Sequence, residues 1–404
     1  MLITNILFII FIIFILELIL RILVGSFKKN FQWLVTRNDE LPIIISKKLD
    51  KFYRNSYSKK LGWDRRANTR GKEKLNKKVT SFRIDKYGAR YSNKMYKKKK
   101  VLVLGDSYAF CRYVNDNQTW PYFLQKEINH GVLNYGVGNY GIDQAILKYD
   151  IIKNKKKIKL IIMAFVPETI TRIHAYWKHY SEFGNILGFK PIFTIKNKKL
   201  VLVKNFLEPN TTYDKLKKNI HIIKKNDIFY DKKFKKHIFD RLYIITYFRF
   251  FGRYNYIFVN LIIDRLFFFL KDEKSPFFNN ALSKIVQENI EDAYKMYESK
   301  TYNNLIKELI INFKKKLKKE NKNLLVLLLP QLYDLKTSNY KTRGYNNFIS
   351  KLKKEVNLID LRDKIKKEES FDKYYLEDKH GGHFSKNGNK LVSKTIKKKV
   401  KDLL

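Results

Sequence analysis

A serine hydroxyl is a poor nucleophile unless a neighbouring base takes its proton and a third group orients that base. Ser107 is placed for such chemistry, in the stretch VLVLGDSYAFCRYV from Val101 to Val114. Its four leading apolar residues read as a buried strand of a parallel sheet, and Gly105 ends the run. Asp106-Ser107 then falls where the chain turns toward a helix, at the strand end where open α/β sheets bind ligands. A bare Gly-Asp-Ser string equally fits a loop that caps the next helix. Two candidate bases lie far along the chain, His380 and His383, in HGGHFSKNGNKLVS. The two glycines between them suit a bent loop. Paired histidines can also hold a metal, but no other ligand-like cluster accompanies these two. Glu377 and Asp378 precede them as candidate orienting carboxylates, or as a solvated acidic pair ahead of a turn. Cys111 is the only cysteine, which excludes internal disulfides. It reads as a small buried hydrophobe, with a reactive thiol as the alternative.

Positioning these groups requires a scaffold, and the pattern from Val101 onward alternates strand with helix. Strands are expected at 101–104, 132–135, 158–165, 324–329 and 356–360. Helices are expected at about 118–130, 141–154, 301–320, 343–354 and 386–402. Five strands separated by helices predict a doubly wound parallel sheet. Right-handed crossovers bring the ends of its first three strands together. The α/β domain occupies 96–404, interrupted by an insertion at 171–300 rich in Phe, Tyr and Ile. Within it, Ile257–Leu270 is too short for a comfortable membrane span. It reads as a helix packed as a lid or subdomain, as one lying at a bilayer interface, or as a buried core helix.

The serine block, the glycine-rich VLNYGVGNYGIDQ (Val132 to Gln144) and the carboxy-terminal block together resemble the SGNH/GDSL hydrolase family. The resemblance runs from about Tyr57 to Asp150 and again from Tyr375 to Ser393. It implies that Ser107 is the nucleophile, activated by a carboxy-terminal His and Asp. His383-Phe384-Ser385 with Gly388 follows the family's block, which implies His383 as the base over His380. The family's usual aspartate positions are occupied by His380 and Gly381, so the resemblance implies Asp378, with Glu377 as the alternative. The Ser107 N–H would form part of the oxyanion hole. The family's second-block glycine aligns with Asn139, a residue type that tolerates positive φ. Its third-block asparagine aligns with Thr169, whose hydroxyl donates one hydrogen bond over a shorter reach. Arg172 and His174 follow closely and are expected at the surface, with binding of a substrate anion as the alternative. Leu61-Gly62-Trp63 and the Ile84-to-Arg90 string resemble segments that precede the serine block in membrane-anchored members; an ordinary linker is the alternative. The activity implied is that of a serine esterase or O-acyltransferase on an acylated envelope glycan or lipid, with no cofactor and no metal. A non-catalytic scaffold that keeps the fold with a degraded oxyanion hole is the rival expectation.

The formal net charge is +46, with 84 basic residues against 38 acidic ones. The lysines are spread through every segment, which argues for a general compositional bias and against nucleic acid as the partner. The amino terminus points instead to a lipid bilayer. Residues 1–25 are almost wholly apolar and read as a retained transmembrane anchor, lacking the basic start and small-residue cleavage site of a signal peptide. Glu17 and Arg21 lie four apart and are expected to pair on one helical face, near the interface or against a packed neighbour. Residues 26–95 are polar and basic and read as a stalk ending in a short strand pair. Basic residues after the anchor favour a cytoplasmic domain, whereas the resemblance favours an extracytoplasmic one, the expectation adopted.

Overall fold

The computed structural model describes residues 2–75, 77–92, 96, 98–209, 211–271, 280–336, 344–368, 370–376 and 382–404. They form two compact units. The larger comprises 51–174, 190–206 and 286–404; the smaller comprises 1–50, 175–189 and 207–285.

The smaller unit begins with α1 (Leu2–Lys28). At 27 residues it is roughly 40 Å long, enough to cross a bilayer. Nearly all of its apolar surface is exposed, with only Leu20 and Val24 buried. The expected Glu17–Arg21 pair forms at 2.7 Å.

In the larger unit, β1 (Thr69–Leu75) and β2 (Lys78–Ile84) form an antiparallel hairpin, the strand pair expected before the serine block. The central sheet follows, built from β3 (Lys99–Gly105), β4 (Gly131–Asn134), β5 (Leu160–Phe165), β8 (Asn323–Leu328) and β9 (Asn357–Asp360). All five strands are parallel, in the order β9-β8-β5-β3-β4. This is the doubly wound α/β sheet that the sequence predicts, in flavodoxin-like order. Between β5 and β8 a second hairpin forms from β6 (Ile192–Lys196) and β7 (Lys199–Val203).

The crossovers are α2 (Ser107–Phe110) with α3 (Trp120–Ile128), α4 (Ile142–Ile151), α5 (Thr169–His174) with α8 (Lys300–Lys319), and α9 (Tyr345–Lys353); α10 (Lys386–Asp402) closes the chain. The expected strands and helices are all present, with ends shifted by a few residues. Every residue of β5 is buried, as a central parallel strand covered on both faces requires. Val103, Ile162 and Leu327 meet Trp120, Leu124 and Ile396 in the main core. Each such side chain contributes about 1.5–3 kcal/mol by burial.

The segment that reads as one insertion is divided between the units. Residues 190–206, including β6 and β7, belong with the sheet, as does the chain from 286. In the smaller unit the helices include α6 (Tyr243–Arg249) and α7 (Phe251–Lys271). The segment that reads as a stalk is divided likewise, 26–50 lying in the smaller unit and 51–95 in the larger.

Candidate active site

The sheet reverses its winding between β3 and β5, and the crevice beyond the carboxyl ends at such a switch point is where ligands bind. Ser107 follows β3 directly. Gly105 makes the turn possible: its φ is +146°, and a side chain there would strike the Ala164 carbonyl of the neighbouring strand. Asp106 caps α2, its Oδ1 accepting the Tyr108 N–H at 2.8 Å. Its Oδ2 accepts the Val166 N–H at 3.1 Å and an Arg172 N–H at 3.2 Å, tying the turn to the end of β5. As the first residue of a helix, Ser107 keeps its own N–H out of the helical ladder.

His383 Nε2 lies 2.9 Å from Ser107 Oγ, although 276 residues separate them. Ser107 is 7% exposed and His383 4%. Several contacts hold the imidazole there. Gly382, at φ +82°, bends the chain before it, and Leu376 N–H donates to the His383 carbonyl at 2.7 Å. The Tyr108 ring stacks on the imidazole with centroids 4.7 Å apart, while its hydroxyl donates to the Gly382 carbonyl at 2.5 Å. Tyr113 stands edge-on at 5.6 Å. Ser385 then caps α10, and Asn389 accepts the Trp120 N–H at 3.1 Å, joining α10 to α3.

The loop after β4 is the second wall. Gly136 packs so closely on α2 that a Cβ would fall on the Phe110 nitrogen. Asn134 donates to the Ala109 carbonyl at 2.9 Å and accepts the Gly136 N–H at the same distance. Asn139 is exposed with φ +65°, in the left-handed region that asparagine tolerates better than other non-glycine residues. At the end of β5, Thr169 is fully buried, and its hydroxyl has no hydrogen-bond partner among the described residues.

Both upstream strings turn out to support these walls. Trp63 Nε1 donates to the Gly138 carbonyl at 3.1 Å, and the Tyr140 hydroxyl donates to the Trp63 carbonyl at 2.7 Å. Gln144 reaches the Leu61 carbonyl at 2.7 Å. Arg90 is buried, pairs with Asp116 at 3.0 Å and donates to the carbonyls of Phe110, Cys111 and Val114. One guanidinium thus gathers the carbonyl end of α2, the match of multiple donors to acceptors that suits arginine.

Arg172 is a correction to the sequence reading. Expected at the surface, it is buried and bridges Asp106 and Glu168, the latter at 3.0 Å. Glu168 pairs with it one helical turn away, but Asp106, at the end of another strand and 66 residues upstream, is a partner that sequence spacing cannot show. His174 is half-buried, 3.1 Å from the Tyr302 carbonyl. Cys111 is buried, with its thiol pushed up to about 12 by desolvation, as a small hydrophobe would be. Asp378, Glu377 and His380 lie outside the described residues. Among the described residues, no group of three His, Cys, Asp or Glu side chains could hold a metal ion.

No family model matches the sequence, and no curated protein does. Fifteen chains of solved structures match, two of them as follows. One is described as a lipolytic protein of the G-D-S-L family from Desulfitobacterium hafniense DCB-2, at 13% identity and TM-score 0.31, covering 76% of this chain and 99% of that one. The other is a lipase/acylhydrolase from Enterococcus faecalis, at 8% identity and TM-score 0.34, covering 75% and 96%. Likeness at that level says nothing of what this chain does, which must be read from its own site.

Proposed function

We propose that this chain is a serine esterase or O-acyltransferase of the SGNH/GDSL kind, held at a membrane by α1. Its substrate is an acylated glycan or lipid of the cell envelope, and its larger unit faces away from the cytoplasm. The observation that carries the reading is the 2.9 Å contact between His383 Nε2 and Ser107 Oγ at the switch point of the sheet. In this mechanism His383 takes the Ser107 proton as Oγ attacks the ester carbonyl. Asp378 orients the imidazole. The oxyanion is met by the backbone N–H groups of Ser107 and Asn139 and by the Thr169 hydroxyl. Collapse expels the alcohol, which His383 protonates, and leaves an acyl-serine. Water then releases the acid, or a sugar hydroxyl takes the acyl group, with His383 again accepting the proton. No cofactor enters these steps.

The positive φ of Asn139 and the unpartnered, buried hydroxyl of Thr169 support the oxyanion assignment. The same two substitutions favour a second reading, a binding protein that keeps the fold without turnover. Labelling with a fluorophosphonate probe separates the two readings. Labelling that is lost in Ser107→Ala supports the enzyme, and its absence from the native protein supports the binding protein.

A further inference from the structure

The smaller unit carries an apolar surface that its own packing does not use. On α7, Tyr254, Ile257 and Phe258 turn inward and are buried. Val259, Ile262, Ile263, Leu266 and Phe269 recur at three- and four-residue steps and are exposed, Phe269 to 84%. Ile245 and Phe248 on α6 are exposed as well. A surface helix in water shows one apolar stripe and one polar face, whereas α7 is apolar on two sides, which calls for a second apolar environment.

The contacts of α6 and α7 identify that environment. The Glu17 carboxylate of α1 accepts the N–H groups of Tyr243 and Ile244 at 3.1 and 2.9 Å, capping the first turn of α6. Arg21 lies over the Tyr243 ring at 4.6 Å, and Arg265 of α7 lies 6.0 Å from the Phe27 ring centre. α6 and α7, which carry the exposed stripe, therefore lie beside the later turns of α1, the helix whose earlier turns present Phe8, Phe11 and Phe14 to their surroundings. Arg21 and Lys28 follow Glu17 within roughly 17 Å of helix, which sets the docking point near one edge of a bilayer's hydrocarbon core. The docking contact also accounts for a glutamate in an otherwise apolar run, where an unpaired charge is costly. Residues 241–271 carry five basic side chains against the single acidic Asp264. Each basic residue near an anionic membrane surface adds to the attraction.

We propose that α6 and α7 are a second membrane element, lying in the headgroup boundary of the leaflet that surrounds Glu17, with the Val259–Phe269 stripe against acyl chains and the arginines against anionic headgroups. This rests on the reading of α1 as a membrane span. Because Cys111 is the only native cysteine and is buried, single cysteines can be nitroxide-labelled without removing it. Labels at Ile262→Cys, Leu266→Cys and Phe269→Cys are read in the full chain in vesicles of phosphatidylcholine and phosphatidylglycerol. Ile12→Cys reports the span and Lys217→Cys the aqueous surface. The expected result is an oxygen-to-nickel-complex collision ratio at the stripe roughly tenfold above that at Lys217→Cys, because hydrocarbon excludes strongly hydrated solutes. A stripe as water-accessible as Lys217→Cys, with Ile12→Cys protected, overturns the proposal and leaves the span standing. Water access at Ile12→Cys overturns both. Protection accompanied by dipolar broadening that vanishes on dilution with unlabelled chain also overturns it, because a second copy then covers the stripe.

Discussion

At the serine wall of the site, Ser107 and His383 are fixed by side chains: Asp106, Arg172, Tyr108 and Tyr113 all touch this pair or the turns that carry it. At the proposed oxyanion wall, Asn139 would offer only backbone, and Thr169 a hydroxyl that nothing among the described residues engages. In the proposed mechanism the two walls differ in how far they tolerate a change of residue. A nucleophile and its base must be specific atoms at hydrogen-bond distance, so their residue types are constrained. An oxyanion needs only a donor at the right point, which a peptide N–H supplies whatever side chain it carries. The largest test of this contrast is His383→Ala, in which ester turnover is expected to fall about 10⁴–10⁶-fold, nearly as far as in Ser107→Ala, because the members of such a unit fail together. Steady-state rates on an activated ester measure it. A loss of less than tenfold would detach His383 from the chemistry.

The second wall also depends on a buried ion pair. Lys190 and Asp143 are fully buried and bonded to each other, and Asp143 opens α4 directly after the Asn139 loop. Desolvation raises the Asp143 carboxyl, and the Lys190 ammonium pulls it back. Lys190→Met removes that counter-charge, a change expected to cost about 3–5 kcal/mol at neutral pH. The sign of its pH dependence follows. With a folded-state pKa raised above the unfolded value of about 3.9, the protonated carboxyl favours the fold at acid pH. That stability is lost as pH rises through the raised value. Melting temperatures from acid to neutral pH should therefore separate native and variant progressively; parallel curves would mean that Asp143 stays ionised without Lys190.

A smaller effect is expected at Thr169. Removing one oxyanion donor typically costs about 10²–10³ in rate. A buried hydroxyl without a partner carries an uncompensated desolvation cost of about 1–3 kcal/mol. Thr169→Val keeps the shape and removes the hydroxyl, so turnover should fall while the melting temperature holds or rises. That split identifies a group placed for the transition state. If turnover is unchanged, the hydroxyl takes no part and the second wall consists of backbone N–H groups alone.

What could be read in advance follows the same division. The five strands announce themselves through runs such as Leu160–Phe165, buried on both faces and therefore unbroken by polar residues. The bends beside Ser107 and His383 are legible because glycines at the turns mark where backbone must bend, while the preference for His383 over His380 comes from the family resemblance. Arg172, Arg90 and Glu17 were not legible in their roles. Each acts on groups distant in sequence: Arg172 on Asp106, Arg90 on the carbonyl end of α2, Glu17 on the first turn of α6. Local pattern reports the face a residue presents, not the partner that will meet it. The extent of the insertion was hidden for the same reason, since Lys190 looks like part of it and instead supports α4.

The smallest expected effect returns to the serine wall. Tyr108 does two things at once: its ring lies flat against His383, and its hydroxyl holds the Gly382 carbonyl of the same loop. Tyr108→Phe keeps the first contact and deletes the second. One neutral hydrogen bond is worth about 0.5–1.5 kcal/mol, and leaving the Gly382 carbonyl unpaired adds to its loss. Turnover should fall roughly tenfold at most, through kcat rather than KM, because the ring still confines the imidazole while the loop beneath it loosens. Tyr108→Leu removes both contacts and should fall further in kcat. If Tyr108→Phe and Tyr108→Leu lose the same amount, the hydroxyl alone positions His383 and the stacking is incidental. If Tyr108→Phe loses nothing, the ring is the positioning device, and the Gly382 turn is held by its own backbone geometry.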